Sequence, residues 1–226
     1  IDVSLVGSEM CIRDRGKISR KSLPNISQIF ITSTDKDLNR DKFEACLFQA
    51  RKFIEEQFYV EEDFYICSMS SQTIIYKGLM LPDAIDQFYI DIAKPNFEAK
   101  ICLFHQRFST NTLPKWHLAQ PFRLLAHNGE INAIRGNRNW ARARQSKFSS
   151  PLIPKINKFK DLVNETGSDS SALDNMIELL NKGGIDLFRS LRMVLPPAWQ
   201  NVHSIDQDLK AFHEYNSMHM EAWDGP

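Results

Sequence analysis

The sequence has few cysteines, no excess of charge of one sign and no long apolar run. Its four cysteines are Cys11, Cys46, Cys67 and Cys102. They lie far apart, which argues against a disulfide scaffold and favours a reducing compartment. The 28 basic and 28 acidic side chains balance, so no field of one sign would attract nucleic acid or an anionic membrane. Apolar runs such as residues 101–104 are far shorter than the roughly 20 residues that span a bilayer, so we expect a soluble protein.

Motifs for nucleotides and metals are also missing. The chain has neither a G-x-G-x-x-G fingerprint nor a G-x-x-x-x-G-K-[ST] loop, which excludes the common phosphate-cradling sites. Cys102 and His105 form the one closely spaced Cys/His pair. A buried strand thiol beside a polar residue is the favoured interpretation of this pair, with metal ligation as the minor alternative.

The chain of 226 residues, 42% of them hydrophobic, is long enough for one globular domain with a substantial core. Residues 1–15 begin at Ile1 and show neither a helical nor a strand period. They resemble translated adapter sequence, so we interpret 1–15 as a non-native segment and 16–226 as part of a domain. A disordered native terminus is the alternative.

Hydrophobic periodicity predicts alternating strands and helices in the remainder. Strands are predicted at 27–32, 63–70, 73–77, 99–104 and 122–126, with 63–77 forming a hairpin. Helices are predicted at 39–58, 81–89, 130–147, 170–180, 185–194 and 206–220. Locally paired strands followed by helices favour an α+β fold with antiparallel sheet.

Three polar segments follow the ends of predicted elements: 107–110, 126–129 and 167–170. The guanidinium of Arg107 could bind a carboxylate, and Asn128-Gly129 could direct an amide and a backbone N–H at an oxyanion. The carboxylate of Asp169 could accept from an ammonium. Taken singly, each has a plainer explanation: a solvated arginine, a turn and a helix cap. Together they suggest a pocket for a free amino acid beside an acyl-transfer centre.

The longer motifs carry a family resemblance. These are HQRFSTNTLPKWHLAQPFRLLAHNGEINAIRGNRNW at 105–140, GSDSSALDN at 167–175, MEAWDGP at 220–226 and the segment 63–81. The sequence resembles the class II glutamine amidotransferase domain of the glutamate synthases. The resemblance implies an N-terminal-nucleophile hydrolase fold, a four-layer αββα sandwich with antiparallel sheets, here incomplete at both ends.

The resemblance also implies a reaction and its residues. The family hydrolyses L-glutamine to glutamate and ammonia, which aminates 2-oxoglutarate in the synthase domains of the same polypeptide. Arg107 matches the residue that holds the α-carboxylate, Thr110 lies in the same pocket, and Asp169 matches the acid that receives the α-ammonium. Asn128 and Gly129 match the oxyanion hole. FMN, an iron–sulfur cluster and either NAD(P)H or ferredoxin are implied for the parent protein but not for this chain, with a small reductase subunit as a further partner.

One family feature is absent from the chain. The family's nucleophile is an N-terminal cysteine whose own α-amino group acts as base, and none of the four cysteines here stands first. We therefore expect an interior piece of the domain, inactive by itself, with unpaired sheet edges that favour aggregation.

Two other interpretations stay open. The basic segment 135–147, with Trp140 among its arginines, is the main feature of a nucleic-acid-binding alternative. A structural domain without activity is the second. With the amidotransferase interpretation we expect no nucleic-acid or membrane partner, and a cytoplasmic location with the plastid stroma as the alternative.

Overall fold

The computed structural model of the chain describes residues 2–7, 23–59, 61, 64–106 and 114–223. Within these ranges, two strands and six α-helices form: β1 Asp2–Gly7, β2 Ser27–Thr32, α1 Arg40–Gln57, α2 Ile85–Phe88, α3 Ile134–Arg144, α4 Asp169–Lys182, α5 Leu187–Val194 and α6 Gln207–Ser217. One-turn 3-10 helices lie at Pro82–Ala84, Trp116–Leu118, Gln145–Lys147 and Ile156–Lys158. The described part of the chain is therefore mostly helical.

Side-chain caps begin four of the six helices in the described ranges, whereas α2 and α3 have none and the predicted helix 81–89 is reduced to a 3-10 turn followed by α2. Asn39 caps α1, since its side chain accepts a hydrogen bond of 2.9 Å from the backbone N–H of Lys42. Ser168 caps α4 in the same way through the N–H of Ser171. Gly184, with φ of 104°, ends the turn after α4 in a conformation that disfavours any other residue.

Helix α3 starts four residues later than the predicted helix, at Ile134 rather than Glu130. The backbone N–H of Ile131 donates to Oδ2 of Asp169 at 2.8 Å, and a turn bond from Ile134 N to Ile131 O follows at 3.2 Å. A tertiary contact thus delays the helix and leaves residues 128–133 as a loop.

Residues 2–7 are a correction to the sequence prediction, which gave them no regular structure. They form β1, which pairs antiparallel with β2 from Asp2 opposite Thr32 to Gly7 opposite Ser27. The ladder uses backbone groups and so needs no side-chain period. Whether residues 1–15 belong to the natural protein stays a prediction, and residues 8–15 lie outside the described ranges.

Four predicted strands are wrong for the described residues. Segments 64–70, 73–77, 99–104 and 122–126 form no strand, and β1 with β2 is the only sheet that the described residues contain. A strand is stable only with a hydrogen-bonded neighbour, and these segments have none in the described ranges. The apolar run at 101–104 stays in solvent: Ile101 is 86% exposed and Phe104 is 79% exposed. The four-layer sandwich is therefore not formed by these residues.

The core is organised around α4. Every residue from Ser170 to Leu180 on this helix is buried, and its apolar side chains pack with Phe48 of α1, Val194 of α5 and Trp223. A helix that is buried on all faces lies at the centre of a hydrophobic core, with other elements packed around it. It therefore fixes its own N-terminal residue, Asp169, relative to the elements that surround it.

Buried Glu44 ties α1 to α4. Its carboxylate accepts hydrogen bonds from Lys182 Nζ at 2.6 Å, from Ser70 Oγ at 2.7 Å and from the backbone N–H of Ser71 at 2.6 Å. Burial raises the pKa of Glu44, but these donors outweigh burial and lower the pKa below its usual value. The segment around Ser70 is thereby held against the helices without a strand partner.

None of the helices in the described ranges combines the length and the apolar composition that a bilayer crossing requires.

Candidate functional site

The loop that carries Asn128 and Gly129 is fixed just before it begins. The side-chain amide of Gln120 donates from Nε2 to the carbonyl of His127 at 2.7 Å and accepts the backbone N–H of His127 at 2.7 Å. This pair of bonds imitates one rung of a sheet. Asn128 and Gly129 themselves are exposed, so their hydrogen-bond donors can reach a ligand from solvent.

The His127 ring explains the glycine at position 129. A Cβ on Gly129 would lie 3.0 Å from Nε2 and 3.2 Å from Cε1 of that ring, closer than ordinary contacts. The ring is held on its other side, where Nδ1 lies 2.9 Å from Oγ of buried Ser170. The loop and the first turn of α4 therefore meet through His127 and Ser170.

Asp169, half-buried, is the first residue of α4. Its Oδ1 accepts the N–H of Ser170 at 2.6 Å, and its Oδ2 accepts the N–H of Ile131 at 2.8 Å. A carboxylate offers about four acceptor sites, so two backbone donors leave capacity for an ammonium group.

The structure thus brings two of the three predicted segments together. Ile131 contacts Asp169 directly and lies two positions after Gly129. The exposed Asn128-Gly129 pair is thereby linked, through Ile131, to the carboxylate of Asp169. This combination suits a site that binds a free amino acid and stabilises negative charge on the oxygen of its side-chain carbonyl.

Arg107 and Thr110 lie outside the described residues. Their assignment to the α-carboxylate pocket, and the meeting of all five residues around one ligand, stay predictions.

A cavity of about 290 Å³ lies next to this site rather than in it. It is bounded by α1, by residues 65–67 and 117–123, and by 161–175, and it reaches the N-terminal end of α4 at Gly167 and Ser171. Asn128, Gly129 and Asp169 do not line it. Asn128 and Gly129 therefore lie in an exposed loop outside the cavity, and Asp169 lies on the first turn of α4 outside it.

Charged groups dominate the walls of the cavity. Burial lowers the pKa of both Lys52 and Lys77 to about 8 and raises that of Asp174 to about 6. Lys77 donates to the carbonyl of His117 at 2.8 Å, and Asp174 accepts the N–H of Leu124 at 2.7 Å through Oδ1. Oδ2 of Asp174 is buried without a partner among the described residues.

An ion-pair network lies behind these groups. Arg51, 1% exposed, donates to Glu178 at 2.5 Å and to Glu55 at 2.7 Å, and Arg123 contacts Glu55 at 3.2 Å. Sequence reasoning missed this cluster. The signal was present, because Asp174 and Glu178 stand four residues apart among the apolar residues of a helix predicted to lie in the core, where a charged residue is seldom buried without a partner.

The basic segment 135–147 is largely engaged within the chain. Arg138 donates to the carbonyl of Gly167 at 2.6 Å, Arg142 pairs with Glu165 at 2.9 Å, and Arg144 pairs with Glu221. These contacts reduce the charge that the segment can offer to phosphates. They give the nucleic-acid alternative no support.

The described residues contain no group of three or more His, Cys, Asp or Glu side chains that could hold a metal ion.

Comparison with known proteins identifies a matching family. A family model described as "Glutamine amidotransferases class-II" matches residues 9–226. The glutamate synthase [NADPH] large chain of Bacillus subtilis (strain 168) is 42% identical over 213 residues, which cover 93% of this chain and 14% of that protein. The ferredoxin-dependent glutamate synthase of Cyanidium caldarium is 38% identical over 218 residues, covering 93% and 14%. The glutamate synthase [NADH] of Saccharomyces cerevisiae is 42% identical over 192 residues, covering 84% and 9%. The chain therefore spans about a seventh or less of the length of these relatives.

Proposed function

We propose, on the premise that this chain belongs to the class II glutamine amidotransferases, that it acts as the glutaminase part of a glutamate synthase. It would hydrolyse L-glutamine to glutamate and ammonia. The observation that carries the proposal is the hydrogen bond between Ile131 and Asp169, which places the Asn128-Gly129 loop beside the first residue of α4. The identity to proteins named glutamate synthases supports the same proposal.

Each site residue has a defined task in this reaction. The guanidinium of Arg107 binds the α-carboxylate of glutamine, Thr110 completes that pocket, and the carboxylate of Asp169 accepts from the α-ammonium. When a thiolate adds to the side-chain amide carbon, the carbonyl oxygen becomes negative. The amide of Asn128 and the N–H of Gly129 then donate to that oxygen, where preorganised donors lower the barrier.

The remaining steps balance as an ordinary acyl transfer. The C–N bond of the tetrahedral adduct breaks, the nitrogen leaves as ammonia after protonation, and water hydrolyses the thioester to release glutamate and the thiol. In this family an N-terminal cysteine attacks and its α-amino group is the base. Cys11, Cys46, Cys67 and Cys102 all have their amino groups in peptide bonds, so we assign the attacking thiol to none of them.

The fate of ammonia belongs to the rest of the parent protein. There it would aminate 2-oxoglutarate in the synthase domains. NAD(P)H or ferredoxin would supply the electrons, with FMN and an iron–sulfur cluster as cofactors. A small reductase subunit would be a further partner. A cluster needs several cysteine ligands, and the described residues group none that could hold a metal. No step is therefore assigned to these cofactors here.

We also propose the N-terminal-nucleophile hydrolase sandwich for the complete domain. Three of the four segments that were predicted as strands carry exposed apolar residues, among them Ile74, Leu103 and Phe104. Pairing with further strands would cover them and satisfy their backbone groups. We place the protein in the cytoplasm or the plastid stroma, since relatives include both bacterial and chloroplastic proteins.

The proposal is tested by comparing two nitrogen sources in the full-length protein. Asn128→Ala should lower kcat for glutamine-dependent glutamate formation by roughly 10² or more, because a transition-state donor is lost. Formation from added ammonium salt should be unchanged, since that route does not use the site. An unchanged glutamine-dependent rate would refute the assignment, and an equal loss with ammonium would show that the variant damages the whole protein.

A further inference from the structure

Arg138 links helix α3 to the residues just before α4. Its Nη2 donates to the carbonyl of Gly167 at 2.6 Å and to the carbonyl of Ser168 at 3.2 Å, with Asn164 Oδ1 at 3.5 Å. Gly167 and Ser168 immediately precede Asp169. One guanidinium nitrogen therefore holds the backbone of the two residues that precede Asp169.

The segment it holds is closely packed. A Cβ on Gly167 would lie 2.5 Å from Oγ of Ser171 and 2.7 Å from Nδ2 of Asn164. Asn164 in turn donates to Ser171 Oγ at 2.8 Å. Such a segment has little room to shift while its contacts are kept, so a change in any one of its contacts is transmitted to the next residue, Asp169.

Arg138 and the Asn128-Gly129 loop belong to one continuous unit of the chain, residues 128–138. The loop leads directly into α3, and Arg138 lies on the second turn of that helix. The neighbouring residue, Asn137, is buried and donates to the carbonyl of Ala222 at 2.8 Å, which fixes the helix against the C-terminal segment. The N-terminal end of α4 is thus held at two points of this unit, by Ile131 at Asp169 and by Arg138 at Gly167 and Ser168.

Resting on the proposed function, we propose that Arg138 is a positioning residue for glutamine recognition. It sets where the Asp169 carboxylate stands relative to Asn128 and Gly129. Helix α3 then fixes the distance from the Asp169 carboxylate, which binds the α-ammonium, to the donors of Asn128 and Gly129, which face the reacting carbonyl. Discrimination for a substrate with an α-ammonium depends on that distance.

The electrostatic surroundings of Arg138 agree with this role. Burial lowers the pKa of its guanidinium, and the nearby carboxylates of Asp169 and Glu165 act in the opposite direction. The cation therefore lies within the field of Asp169, although its hydrogen bonds go to backbone carbonyls. Lysine would keep the charge as a compact ammonium on a different stem, without the planar guanidinium whose Nη2 reaches both carbonyls.

The test compares L-glutamine with 4-carbamoylbutanoate, which is glutamine without its α-ammonium, in the full-length protein. The readout is the ratio of kcat/KM for ammonia release from the two compounds. Arg138→Ala should lower this ratio about tenfold, the effect of one mispositioned charge-assisted hydrogen bond. Arg138→Lys, the variant to use if alanine prevents folding, should lower it by a smaller factor.

A matched control and a double variant complete the test. Arg142 lies one turn further on the same helix and pairs with Glu165 at an exposed site, so Arg142→Ala should leave the ratio unchanged. In an Asp169→Asn background, Arg138→Ala should cause no further loss in the ratio, because the group it positions no longer binds the ammonium.

Three results would overturn the inference. If Asp169→Asn lowers the ratio while Arg138→Ala behaves like Arg142→Ala, Arg138 has no positioning role and the proposed function stands. Additive losses in the double variant would mean that Arg138 acts independently of Asp169. If Asp169→Asn itself leaves the ratio unchanged, the ammonium-binding role fails and the inference fails with it.

Discussion

The backbone N–H of Ile131 donates a 2.8 Å hydrogen bond to Oδ2 of Asp169, 38 residues further along the chain. This bond delays the start of α3 and joins the Asn128-Gly129 loop to the N-terminus of α4. The same carboxylate is the proposed partner of the substrate ammonium. It therefore has a structural task and a binding task that substitution can separate.

Asp169→Ala and Asp169→Asn should differ for this reason. Alanine removes the acceptor for Ile131 and should lower the free energy of unfolding by about 1–3 kcal/mol. Asparagine keeps one of the two acceptor oxygens, so it should destabilise the fold less than alanine does, whereas KM for glutamine should rise on the order of tenfold because the charge is gone. Thermal unfolding and steady-state kinetics of both variants check this. Equal KM values for Asp169→Asn and the unsubstituted protein would contradict the binding task.

Arg107→Ala should chiefly weaken glutamine binding. A guanidinium that pairs with the α-carboxylate contributes alike to the ground state and the transition state, so KM should rise about 10- to 100-fold with little change in kcat. Arg107→Lys should recover part of the loss, since it keeps the charge without the bidentate geometry. Steady-state ammonia release measures both constants. A fall in kcat at unchanged KM would remove Arg107 from the carboxylate pocket.

Gly129→Ala should disturb the loop by pressing on the His127 ring, since the new Cβ would lie 3.0 Å from Nε2. We expect kcat to fall on the order of tenfold as the N–H of residue 129 is displaced. His127→Ala in the same chain should restore part of the activity by making room. Gly136→Ala is the matched control, because a Cβ there meets nothing within 4 Å and helix propensity favours alanine by about 1 kcal/mol. An active Gly129→Ala variant would show that the close approach has no consequence.

The sequence predicts the local structure of this chain better than its tertiary contacts. Helix bounds follow from local signals such as Asn39, Ser168 and Gly184, so the helices are largely predicted. Strands depend on neighbours, and the apolar run that begins at Ile101 produces no strand where the described residues supply no partner. Asn128 and Asp169 can be selected from element ends and the family motifs. The Ile131 bond between their segments depends on a tertiary contact that no local pattern encodes.

Glu178→Ala should be destabilising because it removes the buried 2.5 Å partner of Arg51 and leaves the more exposed Glu55, at 2.7 Å, as the other carboxylate that pairs with this cation. Breaking a buried pair from one side costs about 3–5 kcal/mol. The exposed pair of Arg142 and Glu165, at 2.9 Å, provides the comparison, since Glu165→Ala should cost at most about 1 kcal/mol. Denaturant unfolding measures both. Similar values for the two variants would mean that the remaining pair with Glu55 is enough to stabilise the buried cation of Arg51.

Lys77 should make stability rise with pH in the alkaline range. Burial lowers its pKa from 10.5 to about 8 in the folded state, so between these values the unfolded chain binds a proton that the folded chain has released. Stability then increases as pH rises from about 8 to 10.5 and is lost as pH falls through 8. The full shift corresponds to up to about 3 kcal/mol. Lys77→Met keeps the apolar stem and should flatten this rise in unfolding free energy, whereas Lys210→Met at an exposed site of α6 should not. Parallel pH profiles for the Lys77→Met variant and the unsubstituted protein would show that Lys77 stays protonated in the folded state.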